Sequence, residues 1–173
     1  MNEALDILKY ILPSGIVFLA VYFVLKAFLN NEQKRKLLEI KMKGQNVVTP
    51  IRLQAYERIV LFLERISFNN LVMRVNKAGM TAGQLHASLL LNIRNEYEHN
   101  LSQQLYISSR GWESVKNAKE SVIKVVNTAS SEIQKDAKST DLAAKILELS
   151  VQDKQNPVEQ SIEFIKAEIN QLF

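Results

Sequence analysis

Glu96 and His99 stand three residues apart in the stretch EYEHN, and on a helix that spacing brings a carboxylate and an imidazole to one face. Some helical bundles build a carboxylate-bridged di-metal site from two such Glu-x-x-His pairs, so the pair is half of one. The other half is missing. The second histidine, His86, has Gly83 rather than a glutamate three residues before it. An ordinary polar cluster or a solvated face is the competing reading, and no metal or cofactor is expected. There is no Gly-rich phosphate loop, no His-Glu-x-x-His and no G-x-S-x-G. The lack of cysteine excludes thiolate catalysis, a disulfide framework and cysteine-ligated zinc. An enzyme would have to work with Glu96, His99 and Arg94 or Tyr97 in a pocket between helices. The expectation is instead a protein without enzymatic activity and without a small-molecule substrate.

The stretch RLQAYER offers a different chemistry. Arg52, Tyr56 and Arg58, with Arg65 further along, are residue types that carry much of the energy in many protein interfaces, and they form a candidate partner face. The alternative is intrahelical pairing with Glu57 and Glu64, worth tenths of a kcal/mol. Trp112, beside Gly111, reads more readily as a core anchor than as a contact.

The elements that must position these residues are helices, each opened by capping chemistry. Thr49 with Pro50 predicts a helix start, followed by an apolar face of Ile51, Ala55, Ile59, Phe62 and Ile66. Thr81 with Gln84 is a capping box, and Leu85, Leu89, Ile93, Tyr97 and Leu101 recur behind it. Between these two, LVMRV is a short helix or a covered loop. A third long helix runs from about Ser109 into the 130s on Trp112, Val115, Val122, Val126, Ala129 and Ile133. Two more follow Ser139 and Asn156–Pro157, the last with Val158, Ile162, Ile165, Ile169 and Leu172 on its apolar face. Residues 47–173 thus read as a bundle of about five helices.

Upstream, KYILPSGIVFLAVYFVLK places 16 uncharged residues between Lys9 and Lys26. Counting Leu8 to Leu29, with both lysines reaching outward, gives 22 residues, or roughly 33 Å of helix against a hydrocarbon core of about 30 Å. Tyr10 and Tyr22 sit toward the two ends, where amphipathic rings favour the membrane interface. The leader MNEALDILK carries Glu3 and Asp6 with a single lysine, and no A-x-A site follows, so a retained anchor is expected rather than a cleaved signal. A buried core helix would show polar positions on one side, and this one shows none over four turns.

The net charge of +4 is concentrated just after this stretch. Lys26, Lys34, Arg35, Lys36, Lys41 and Lys43 are opposed there only by Glu32 and Glu39, and the rest of the chain is balanced. That leaves no basic face for nucleic acid. Cationic side chains collect on the cytoplasmic side, so the expected topology is a single pass through the cell inner (plasma) membrane with the N-terminus outside. The partition is an N-terminal tail and transmembrane helix over 1–29, a basic juxtamembrane stalk over 30–46 and a cytoplasmic helical bundle over 47–173. Gly44 and Asn46 supply a stop for the stalk helix. Its lysines, Lys34 and Lys36 among them, could also hold anionic lipid headgroups.

The segments IRLQAYERIVLFLERISFNNLVMRV and EYEHNLSQQLYIS resemble those of an uncharacterised bacterial family with one N-terminal span and a cytoplasmic helical domain, in which proline is more frequent at the place of Phe68. The resemblance implies an architecture and no activity. The expected fold is all-α, and the expected function is a membrane-anchored adaptor or scaffold subunit that binds another protein at the inner face of the membrane. A self-assembling homo-oligomer and a membrane-bound enzyme around Glu96 and His99 are the alternatives; the expected partners are the lipid bilayer and a protein or further copies of the chain.

Overall fold

The computed structural model describes the backbone of residues 2–152 and 156–172, and their side chains apart from those of 2–14, 41, 44–46, 152 and 172. Within these residues the chain is all-α and contains no strand. It divides into two compact units, Met1–Thr49 and Pro50–Phe173.

The first helix, α1, is a single element from Asn2 to Ile66. The expected stop at Gly44 and Asn46 and the new start at Thr49–Pro50 are not made. A glycine inside a helix costs only about 1 kcal/mol, and a proline about 3. The strong helix formers of 32–43 and the packed residues of 55–66 offset those costs. Capping residues mark where a helix can begin without forcing an earlier one to end.

In the first unit, the stretch Gly15–Ile40 is long and apolar enough to cross a bilayer, with a mean hydropathy of 1.4 over its most apolar 18 residues and none of those buried. Phe18 is 71% exposed, and Ile16, Phe23, Val24 and Leu25 are open to a similar degree. Apolar side chains point outward on all sides of the helix, which in water would forfeit about 1.5–3 kcal/mol for each large residue. Lys26 lies over the Tyr22 ring at 5.8 Å from its centroid.

The second unit owes its elements to periodic apolar faces. The end of α1 buries Ala55, Tyr56, Ile59, Phe62, Leu63 and Ile66, whereas Ile51 is exposed, so the expected face begins one turn later. LVMRV belongs to a short helix, α2 (Phe68–Val75), with Phe68, Leu71, Val72 and Val75 inward. Gly79, at φ 84°, supplies the left-handed turn that leads to α3 (Ala82–Asn100). The capping box of α3 is complete: the Gln84 amide donates to Thr81 Oγ1 at 3.3 Å and the Thr81 amide to Gln84 Oε1 at 3.1 Å.

After Asn100 the chain tightens into a 3-10 turn, Leu101–Leu105, which turns Leu101 out to solvent and ends the face predicted for it. Next come α4 (Ser109–Ser131), α5 (Ser139–Gln152) and α6 (Pro157–Leu172). Ser108 caps α4 through the Gly111 amide at 2.9 Å, and Asn156 caps α6 through the Val158 amide at 3.1 Å. Helix α4 is the hub of the packing, in contact with α3, α5 and α6, while α2 packs on α3 and α5. An isolated antiparallel bridge, Thr81 to Lys138, joins the loop before α3 to the loop before α5.

Candidate functional site

Two carboxylates organise the polar side chains of the second unit. The first is Glu96, on α3. Its Oε2 accepts from Arg65 Nη1 at 3.1 Å, and its Oε1 accepts from Arg74 Nη1 at 2.8 Å. Arg74 Nη2 also donates to the Arg65 carbonyl at 3.2 Å, while the Glu64 carbonyl accepts from Ser67 Oγ and Asn70 Nδ2. The cluster therefore closes the α1 C-terminus, whose last carbonyls have no helical donors, and ties α1, α2 and α3 together. With a side chain only 16% exposed, Glu96 is pushed up by burial, but hydrogen bonds and charge from Arg74 and Arg65 outweigh that and hold its carboxyl below the usual range.

A carboxyl with a lowered folded pKa stabilises fully above its unfolded value of about 4.5, and the contribution is lost as pH falls through the folded value. Glu96→Gln is therefore expected to flatten the decline in stability below about pH 4.5 and to cost about 1–2 kcal/mol at neutral pH. Denaturant unfolding across a pH series checks both. His99, three residues on, is exposed. Both Glu96 oxygens face guanidinium groups, so a metal at Glu96 and His99 would have to displace two arginines.

The second carboxylate is Glu168, on α6. It accepts from the Tyr56 hydroxyl, from Ser108 Oγ at 2.6 Å and from the Ser108 amide at 3.3 Å. Tyr56 is 0% exposed, and Ser108 is the N-cap of α4, so one side chain joins α1, α4 and α6. Burial first, then the hydrogen bond and charge of Glu168, hold the Tyr56 hydroxyl above its ordinary value; Arg52 acts in the opposite sense. Gly111 leaves room for this arrangement: a Cβ there would lie 2.9 Å from Glu168 Oε2 and from Ile107 Cγ2.

The candidate partner face is not one surface. Tyr56 is buried against Glu168 and has nothing to offer a partner, which corrects that expectation. Arg52 donates from Nε to the Tyr106 carbonyl at 3.2 Å, Arg58 is half-buried, and Arg65 is turned to Glu96. Residues 52 and 56 share one side of α1 while 58 and 65 share another, as a 100° step dictates. Of the membrane-interface residues, Tyr22, Lys26, Lys34, Arg35 and Lys36 are exposed, and Lys36 pairs with Glu32 at 3.7 Å. The side chains of Lys9, Tyr10 and Leu172 lie outside those described.

Trp112 is a core residue, as expected, stacked on Tyr97 with ring centroids 5.6 Å apart. Lys119 Nζ lies over the other part of this aromatic cluster, 4.1 Å from the Tyr97 centroid, where a cation meets the negative face of the ring. At the opposite end of the α3–α4 contact, His86 Nε2 and Asn127 Oδ1 are 2.9 Å apart. These two contacts make α3 and α4 antiparallel and bound a groove of about 390 Å³ lined by Leu90, Arg94, Tyr97, Lys119, Glu120, Ile123 and Asn127. Arg94 and Tyr97 thus border a cavity, but Glu96 and His99 do not line it. Glu168, Ser108 and Lys119 had no signal in the sequence beyond the helix-start context of Ser108.

Residues 2–172 match the model of a family of unknown function (DUF7935). No curated protein and no solved structure matches the chain.

Proposed function

This chain belongs to that family of unknown function, and we propose that it is a membrane-anchored helical adaptor, or scaffold subunit, that binds another protein at the inner face of a bacterial plasma membrane. The observation that carries the reading is the outward-facing apolar helix Gly15–Ile40, in one chain with a unit that has its own closed core. Lys34, Arg35 and Lys36 stand exposed near the end of that stretch, with Lys43 beyond it. Their charge favours the cytoplasmic side for everything that follows. Glu96 and Glu168 are both engaged by donors from two or more helices, which suits a role in holding the bundle rather than in turnover.

Confinement is the mechanism. A tether raises the effective concentration of the bundle for any partner in the same membrane by an amount set by geometry, so a modest docking face suffices. External protease applied to right-side-out vesicles is expected to trim at most the short N-terminal tail and to leave the span, the basic segment and residues 50–173 intact, and to degrade residues 50–173 once detergent opens the membrane. Crosslinking in membranes followed by gentle extraction should then give an adduct of fixed stoichiometry with a second protein. Adducts that contain only copies of this chain would replace the adaptor with a homo-oligomer, and degradation without detergent would reverse the topology.

A further inference from the structure

The α3–α4 groove is separate from both carboxylate clusters and from anything a tether requires. Its volume of about 390 Å³ lies in the range of small-molecule sites and is far below what a partner helix would occupy. Leu90, Ile123 and the Tyr97 ring give it an apolar floor, and all three pack on the core beneath.

The polar groups are arranged unevenly. The Arg94 side chain makes no hydrogen bond or ion pair among the described residues, as is also true of Arg35, Arg58 and Arg110, but of these four it alone lines this groove. Lys119 is held over Tyr97 with 17% of its side chain exposed, and it meets Glu120 at 2.8 Å, itself 65% exposed. Such a rim pair contributes little and is open to competition. Along α4 the lining runs from Lys119 to Asn127, eight residues or about 12 Å at about 1.5 Å per residue. One negative head and one linear apolar tail satisfy this pattern together.

We propose that the groove binds a medium-chain fatty acid, its carboxylate taken by Arg94 and Lys119 and its tail laid along Leu90 and Ile123 toward Asn127. This site is independent of whatever protein the bundle docks onto. Arg94 supplies a planar fork suited to a carboxylate, and Lys119 adds a partly desolvated charge. Glu120 opposes the ligand and is displaced from Lys119 when it binds.

Trp112 is the single tryptophan of the chain and stacks on Tyr97, so its emission reports on the groove. The experiment titrates the full-length protein, in nanodiscs of zwitterionic lipid, with hexanoate, octanoate, decanoate, dodecanoate and decanol, and subtracts the partition into empty discs. A saturable change in emission is expected, with affinity rising about two- to fourfold per methylene. The rise should level off once the tail reaches Asn127, because further methylenes stay in water. Arg94→Gln, at an exposed position, should weaken decanoate about tenfold, and Glu120→Gln should tighten it. Decanol should bind the wild type no better than decanoate binds Arg94→Gln. A signal that does not saturate, equal affinities for wild type and Arg94→Gln, or equal affinities for decanol and decanoate would each overturn the proposal.

Discussion

Full-length protein is expected to remain in the membrane pellet through an alkaline carbonate wash, and the double variant Leu19→Arg/Phe23→Arg to appear in the supernatant. Both positions lie in the apolar stretch of α1, both are more than half exposed, and neither supports the core of the second unit. An arginine near the middle of a span costs about 2.5–3.5 kcal/mol on insertion scales, so two cost on the order of 5–7 kcal/mol. That shifts the partition by more than about a thousandfold. Met73→Arg is the control: among the described residues Met73 is the most exposed large apolar side chain of the second unit, at 82%, and its substitution should leave the protein in the pellet. Retention of the double variant would mean that something other than this helix holds the chain to lipid, and the tether would lose its basis.

The second large effect is expected at Glu168. Glu168→Ala removes the acceptor shared by Tyr56, Ser108 Oγ and the Ser108 amide. Hydrogen bonds to an ionised group contribute about 1.5–3 kcal/mol each, and a buried hydroxyl left alone carries its own desolvation cost. A loss of about 3–4 kcal/mol follows, or roughly 10 °C in the melting temperature of the second unit. Tyr56→Phe should cost only about 1 kcal/mol, because Glu168 keeps Ser108. Added to Glu168→Ala it should cost almost nothing, since the interaction is already gone.

Alkali supplies an independent reading of the same contact. Because the folded pKa of Tyr56 is raised, its contribution is complete below the unfolded value of 10.0 and is lost as pH rises above it. The decline should be absent in Tyr56→Phe. Additive losses for Tyr56→Phe and Glu168→Ala, or an unchanged alkaline limb, would show that the Tyr56–Glu168 contact is not the one that locks α1 to α6.

What the sequence alone determined is what depends on neighbours within about four residues, and on averages over a helix. The capping box of Thr81 and Gln84 and the Asn156 cap with Pro157 behind it are in place because each is a bond between residues two or three apart. The inward faces of α3, α4 and α6 follow from spacings of three and four, and the apolar stretch of α1 from composition alone. The all-α fold was legible for that reason. Where local rules competed, the sequence left the outcome open: Gly44, Thr49 and Pro50 carry the marks of a helix boundary, yet α1 runs through them because flanking residues outweigh the local cost.

Only the tertiary structure decided which side chains meet. Glu168 lies 112 residues from Tyr56 and 60 from Ser108, and nothing in KAEIN separates it from a solvated glutamate. Glu96 looked like a partner for His99 one turn away and is instead held by Arg65 and Arg74 from two other helices. Helical periodicity says which face a residue occupies but not which helix packs on that face. Tyr56 was therefore read as an accessible anchor although it is buried, and that Arg94 and Lys119 line one groove became visible only when α3 and α4 were laid side by side.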